Sequence, residues 1–420
     1  MKARLKALGL AFMGALDVAL CRLFFRRPSP GTDAQDSAPL LVIRCEAKLG
    51  DNLLTVPFLR ALRRGFPDRE IHVLHHRAAR PVYADCPYVD RRIEVDWEPS
   101  SVASLLRRLR ASRKILGTPD SRGPYSIAIA PRWDRDLYAP FLAWFSGAAK
   151  RVALSRRVGR NHALECCATD SLYTEVLRDA RPCHESLRPL ALLKVLGLNE
   201  AAPSHLEFWF SDTDDALAEA LLRTADPMNW IAVAPGAAIG RREWPVDRFA
   251  AVASSMVSRF GVRIAILGST AELGVCTRLA QLVGESSLDL AGRLSLAQCA
   301  AVLARCRLFL GNDSGLAHLA SAVAVPVVEV SCHPRGASAN HANAPERFGP
   351  TSPGSVVVRP DEPRSRSCID GCEYTQAHCI EAVRFDVVSA AAATLLDRPH
   401  ATQSAVASSE ANGDMPVRAQ

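Results

Sequence analysis

Two phosphate-binding signatures are missing from this 420-residue chain: there is no GKS or GKT loop, and no GxGxxG follows the first apolar run. Their absence weighs against a P-loop kinase and a dinucleotide oxidoreductase. A membrane span needs about 20 nearly uncharged residues, and the apolar N-terminal stretch MKARLKALGLAFMGALDVALCRLFFRR is interrupted by Asp17 and Arg22. Small residues ahead of a cleavage site are also lacking, because Phe24, Phe25, Arg26 and Arg27 stand there, which disfavours a signal peptide. Net positive charge on the body is small. Lys and Arg exceed Asp and Glu by 51 to 44, but residues 1–30 hold six bases and one acid, so +5 of the +7 lies there and only +2 on the rest. A nucleic-acid binder would carry a basic stripe on its folded body.

A disulfide framework is missing as well. The 13 cysteines are odd in number and irregularly scattered, in a chain too long to need staples. They point to a reducing, cytoplasmic compartment.

The 48% hydrophobic and 23% charged fractions are those of a folded globular protein. In residues 1–27, Leu5, Leu8, Phe12, Leu16, Ala19 and Leu23 recur at helical spacing between basic ends. The pattern predicts a helix lying in the plane of an anionic membrane face, with packing on the protein body as the alternative. Residues 28–38 (PSPGTDAQDSA) read as a linker, and 398–420 as a disordered tail. The division expected is 1–38 for helix and linker, 39–205 and 206–397 for two folded domains, and 398–420 for the tail.

Leu40 to Arg44 suits a buried parallel strand, followed by a helical pattern through Leu53, Leu54, Phe58, Leu59 and Leu62; Ile71 to Leu74 supplies the next strand. In the second half, strands are expected at 231–234, 263–267, 288–290, 308–310 and 326–330. Helices start near Val246, Ala271 and Leu316, and another carries Ser295 and Gln298 at capping-box spacing. Alternation of strand and helix means a doubly wound parallel sheet in each half, with ligands bound beyond the carboxyl ends of the strands.

Four loops at strand ends can carry chemistry. Lys48, Gly50, Asp51 and Asn52 lie on the first, where Asp51 can serve as a helix N-cap, a catalyst or both. The second runs from Pro235 and Gly236 to Arg241 and Arg242, where small residues admit a phosphate and the arginines can offset a diphosphate; it can equally be a solvated turn. The third holds Glu272, suited to ribose hydroxyls or to the dipole of a helix start. The fourth, Gly311 to His318, brackets Asn312, Asp313 and Ser314 between Gly311 and Gly315, and opens a helix whose free N–H groups suit an anion.

Together these loops resemble glycosyltransferase family 9, the ADP-heptose:lipopolysaccharide heptosyltransferases. The matching stretches are LLVIRCEAKLGDNLLTVPFLRALRRGFPDREIHVL, HESLRPLALLKVLGL, APGAAIGRREWPVDRF, LGSTAE, LAGRLSLAQCAAVLARCRLFLGNDSGLAHLASAV and CIDGCEYTQAHCI. The resemblance covers about 40–385, with the motifs in family order. It implies an α/β protein of GT-B fold: two facing Rossmann-like, doubly wound parallel-sheet domains with an interdomain cleft, acceptor on the first and nucleotide sugar on the second. By position, Asp51 matches the family's catalytic aspartate, with Lys48, Gly50 and Asn52 on the acceptor side. Asp313, Ser314, Gly315 and His318 match its nucleotide-diphosphate loop, and Glu272 an acid contacting the donor; Gly236, Arg241 and Arg242 complete the donor set. Arg242 stands where many members have Lys. Ser331 to Arg335 and the inserted-looking GASANHANAPERFGP replace a Gly-Pro-Thr stretch, and would lie at the donor end.

The implied activity is inverting transfer of heptose from ADP-heptose to a lipopolysaccharide core or related lipid-linked glycan, on the cytoplasmic face of the inner membrane and without nucleic acid. Alternatives are another donor, such as a UDP-hexosamine, or a silent nucleotide-sugar-binding scaffold. No cofactor or metal is expected. Cys368, Cys372, His378 and Cys379 form C-x3-C-x5-H-C, which departs from paired zinc spacing and reads as structural thiols.

Overall fold

The structure is a computed structural model. It describes residues 18–19, 37–96, 116, 125–132, 139–155, 169–178, 182–198, 204–223, 229–341, 343–370 and 374–398. The membrane-helix expectation therefore falls outside the described residues except at Val18 and Ala19, as do most of the linker, Cys372 and nearly all of the tail. Val18 is helical and buried in the apolar cluster of the first unit. Among the described residues no helix is long and apolar enough to cross a membrane.

The chain divides into two compact units. The first comprises residues up to Trp209 together with Ser338–Gly349, and the second comprises Phe210–Ala337 with the residues from Pro350 onward.

The first unit is built on a six-stranded parallel sheet. Its strands are β1 (Leu40–Arg44), β2 (Ile71–His76), β3 (Arg91–Val95), β4 (Ile127–Ala130), β5 (Lys150–Leu154) and β6 (Glu175–Leu177), in the order β3-β2-β1-β4-β5-β6. β1 is LLVIR and buried at every position, because a central parallel strand is covered on both faces. It pairs Leu40 with Ile71 on one side and with Ile127 on the other. Helices α1 (Leu49–Leu53) and α2 (Val56–Gly65) follow it.

The second unit repeats the plan. Its strands β7 (Trp230–Ala234), β8 (Arg263–Ile266), β9 (Ser287–Asp289), β10 (Phe309–Asn312), β11 (Val327–Val330) and β12 (Val356–Val358) stand in the order β12-β11-β10-β7-β8-β9. Counted along the chain, this is the strand order of the first sheet. Helices α3 (Val246–Phe260), α4 (Leu273–Val283), α5 (Leu296–Ala304), α6 (Gly315–Ala322) and α7 (Phe385–Leu396) accompany it. The capping box expected of Ser295 and Gln298 is present: Ser295 Oγ accepts from the Gln298 amide at 3.2 Å, and Gln298 Oε1 from the Ser295 amide at 2.9 Å. In each sheet the strand order reverses at one place, between β1 and β4 and between β7 and β10. Ligands of doubly wound sheets bind at such switch points, beyond the carboxyl ends of the strands.

Candidate functional site

In the first unit the loops after β1 and β4 meet at the switch point. Arg44, the last residue of β1, is buried, and its guanidinium donates to the Asp51 carbonyl at 2.8 Å, clamping α1 to the strand end. The N-cap of α1 is Lys48, which makes no side-chain capping bond. Asp51 lies inside the helix, so the cap reading of this aspartate does not hold. Its carboxylate instead forms a salt bridge with Arg132 from the loop after β4, and Lys48 Nζ stands 3.9 Å away. Burial pushes the Asp51 carboxyl up, but the charges of Arg132, Lys48 and Arg44 together outweigh it and hold the group at about 2. Gly50 sits in the same helix without a positive φ. Asn52 is fully buried: its amide donates to the Glu46 and Lys48 carbonyls, each at 2.8 Å, and its oxygen accepts from Tyr83 Oη. The structure thus brings Lys48 and Asp51 together and makes Asn52 the brace of their loop.

Arg132 was not among the residues singled out from sequence. The usable signal was there: a short apolar run, IAIA, ending in Pro131 and Arg132, a basic residue at a strand end.

Ser338–Gly349 joins this unit through charged groups. Glu185 and Arg347 are both buried; Arg347 reaches Glu185 Oε1 with Nη2 at 2.7 Å and Nε at 2.8 Å, and Arg188 Nε adds 3.2 Å. The Glu185 amide donates to the Arg347 carbonyl at 2.8 Å, and His184 Nε2 donates to the Gly349 carbonyl at 2.9 Å. Phe348 stands between the guanidinium of Arg347, 4.6 Å from its ring centroid, and that of Arg132, 5.8 Å away. Of the stretch 331–349, residues 331–337 stay with the second unit, whereas 338–349 group with the first, where this buried ion cluster holds them.

In the second unit the loops after β7 and β10 form the corresponding switch point. Asn312, fully buried, accepts from the Trp244 amide at 3.1 Å and donates to the Pro235 carbonyl at 2.8 Å, fastening the β7 loop to the end of β10. Arg242 Nη1 lies 3.2 Å from Asp313 Oδ2. Arg241 turns elsewhere and donates to the Tyr374 carbonyl at 3.4 Å. Ser314 is the N-cap of α6 but makes no capping bond, and its buried hydroxyl has no hydrogen-bond partner among the described residues. A helix N-terminus with unsatisfied N–H groups and an unpartnered hydroxyl is suited to an anion. Gly315 opens the helix and His318 is buried one turn on.

Glu272 closes a capping box, its Oε2 accepting from the amide and hydroxyl of Ser269 at 2.7 Å each. The helix-start role is thus realised, while Oε1 lies so close to Gly236 that a Cβ there would strike it. A side chain at position 236 would push Glu272 out of its capping box. Beneath Asp313, Glu329 of β11 is buried; burial first, then the Asp313 charge, raises its carboxyl well above the usual range against the opposing effect of Arg242. Glu329 was not anticipated from sequence, where VVEV reads as a strand with one acid.

Two doubly wound sheets of one strand order, each with polar loops gathered at its switch point, define a two-domain GT-B protein. A solved glycosyltransferase family 9 structure from Veillonella parvula superposes with a TM-score of 0.67 at 22% identity, covering 86% of this chain and 98% of that one. The structure of Escherichia coli ADP-heptose LPS heptosyltransferase II gives 0.62 at 18% identity, over 85% and 98%. Lipooligosaccharide heptosyltransferase 2 of Haemophilus ducreyi is 24% identical over 73% of this chain and 82% of its own length. The profile of glycosyltransferase family 9 (heptosyltransferase) matches residues 181–368. The chain is thus similar to glycosyltransferase family 9 over residues 181–368, and to a lipooligosaccharide heptosyltransferase over most of its length.

Proposed function

We propose that this protein is an inverting transferase that moves heptose from ADP-heptose to a hydroxyl of a lipopolysaccharide core or related lipid-linked glycan. The observation that carries the reading is the second switch point, where Arg242, the N-terminus of α6 and the unpartnered Ser314 hydroxyl converge as anion-binding groups. The donor named for the Escherichia coli relative, ADP-heptose, has the diphosphate that such a site takes.

The first unit supplies the base. Asp51, held at about 2, is ionised at every physiological pH but is a weak base. That suffices if proton transfer is late, because an alcohol oxygen becomes far more acidic as its bond to the anomeric carbon forms. Arg132 keeps the carboxylate charged and oriented. Charge developing on the ADP leaving group is met by Arg242 and the α6 amides, so the chemical step needs no Mg²⁺.

Turnover measured with a panel of nucleotide sugars tests the reading: ADP-heptose should be the preferred donor, and a preference for a UDP-sugar would overturn it. Activity should not depend on added Mg²⁺, and its abolition by EDTA with rescue by Mg²⁺ rather than by zinc or iron would contradict the charge assignment. Residues 1–27 supply peripheral attachment to the cytoplasmic face of the inner membrane, at about 1 kcal/mol per basic residue near anionic lipid. High salt should then release at least part of the full-length protein from membranes, and retention through both high salt and alkaline washing would contradict it.

A further inference from the structure

Cys368, His378 and Cys379 come together in the second unit although their spacing in the chain is not that of paired zinc ligands. Their ligand atoms all lie within 4.8 Å of one another. His378 Nδ1 stands 3.6 Å from Cys368 Sγ and 3.3 Å from Cys379 Sγ. A tetrahedral ion with metal–sulfur bonds of about 2.3 Å and a metal–nitrogen bond of about 2.0 Å separates sulfur from nitrogen by about 3.6 Å. Thiol hydrogen bonds account less well for the arrangement, since one imidazole nitrogen offers a single lone pair and two sulfurs approach it.

The surroundings fit ligands rather than inert thiols. Both cysteines are buried, at 2% and 4% exposure, so an ion between them would be shielded from solvent. The Arg364 amide points at Cys379 Sγ at 3.5 Å and Ser365 Oγ lies 3.2 Å from Cys368 Sγ; donors of this kind stabilise metal-bound thiolates. Tyr374 stacks on the His378 ring at 4.1 Å between centroids and 11° between planes, fixing its orientation. Between β12 and α7 the described chain forms only the short helical turns Ser367–Asp370 and Cys379–Ala382, with no sheet ladder to hold it.

We propose that Cys368, His378 and Cys379 bind a thiophilic divalent ion, zinc or ferrous iron, as a structural staple of the segment 364–383. The consequence reaches the β7 loop, because this segment lies against it: Tyr374 accepts from Arg241, Trp244 Nε1 donates to the Val383 carbonyl at 3.1 Å, and Arg248 donates to the Glu381 and Val383 carbonyls at 2.7 Å each. A Cβ at Gly240 would come within 2.9 Å of the Thr375 carbonyl. The ion would therefore stiffen residues 240–248 from behind without touching substrate.

The test is elemental analysis of full-length protein expressed without a polyhistidine tag and purified without chelator. About one zinc or iron per chain is expected, falling several-fold in the Cys368→Ser/Cys379→Ser variant and retained in His378→Cys. Should the double variant not fold, Co²⁺ added anaerobically to metal-free wild-type protein decides. A thiolate-to-cobalt charge-transfer band with intense tetrahedral visible bands supports the site. Wild-type protein that holds neither zinc nor iron and gives only an octahedral cobalt spectrum, or a double variant that folds and keeps its full metal content, would overturn the proposal.

Discussion

Arg132 and Asp51 form a salt bridge across the switch point of the first sheet, one from the loop after β4 and the other from α1 after β1. Both side chains are largely buried, at 7% and 11% exposure. A buried carboxylate without its partner would rise in pKa and lose its charge; with it, the group stays ionised.

Asp51→Asn should therefore lower turnover by ~10²- to 10⁴-fold with little change in donor affinity. Arg132→Gln should move the acid limb of the pH–rate profile upward from about 2, because burial then acts with less opposition. An Asp51→Asn enzyme of near-normal turnover would remove the base assignment, and an unmoved limb in Arg132→Gln would remove the pairing.

At the second switch point, Arg242→Ala should weaken ADP binding by ~1.5 to 3 kcal/mol, the worth of a charge-assisted bond, as read by calorimetry. Glu329→Gln should be tolerated in both stability and ADP affinity, since an amide replaces a carboxyl whose charged form is disfavoured by burial and by the Asp313 charge. A loss of ~3 kcal/mol or more on that change would mean that Glu329 is ionised and paired.

The buried cluster of Glu185, Arg347 and Arg188 predicts a steep asymmetry. Glu185→Ala leaves two guanidinium groups without their shared carboxylate and should cost ~3 to 5 kcal/mol in urea unfolding. In a double-mutant cycle, Glu185→Met and Arg347→Met together should cost clearly less than the sum of the two single changes. Simple additivity would show that the two side chains are not coupled.

Burial lowers the pKa of His184 and His75 below the ordinary 6.5. Below that pH the unfolded chain takes up protons that the folded protein does not, so stability is full above about 6.5 and declines as pH falls through the window beneath it. Asp51 adds a second loss further down, because its contribution is present above 3.8 and disappears as pH falls toward about 2. Urea midpoints should drop between pH 7.5 and pH 5. His184→Gln keeps a donor for the Gly349 carbonyl and should flatten the slope, and a wild-type midpoint constant over that range would contradict the account.

Strands, helices and loops of the second half could be read from the chain because they are local properties. An apolar run of four or five residues between turn residues makes a buried parallel strand wherever it lies, and Ser295 with Gln298 makes its capping box within three residues. Motif order along the chain carried the resemblance to glycosyltransferase family 9 for the same reason. In the first half the charged edge strand β3 carries no continuous apolar pattern to read, whereas the interior strand β4, IAIA, carries a usable one.

Only the tertiary structure decided which charges meet. Arg132 stands 81 positions from Asp51, and Arg347 stands 162 from Glu185; nothing in either segment specifies the other. Spacing offers Asp51 as a cap, a catalyst or both, and the cap is excluded only in the folded chain, where the register of β1 beside β4 sets Arg132 against its carboxylate. Cys368, His378 and Cys379 likewise lie ten and eleven positions apart at most, yet their convergence follows from how the chain turns between β12 and α7. Hydrophobic pattern is written residue by residue, whereas the pairing of buried charges and thiols is enforced by the cost of leaving them unpaired in a low-dielectric interior, and that cost exists only once the chain has folded.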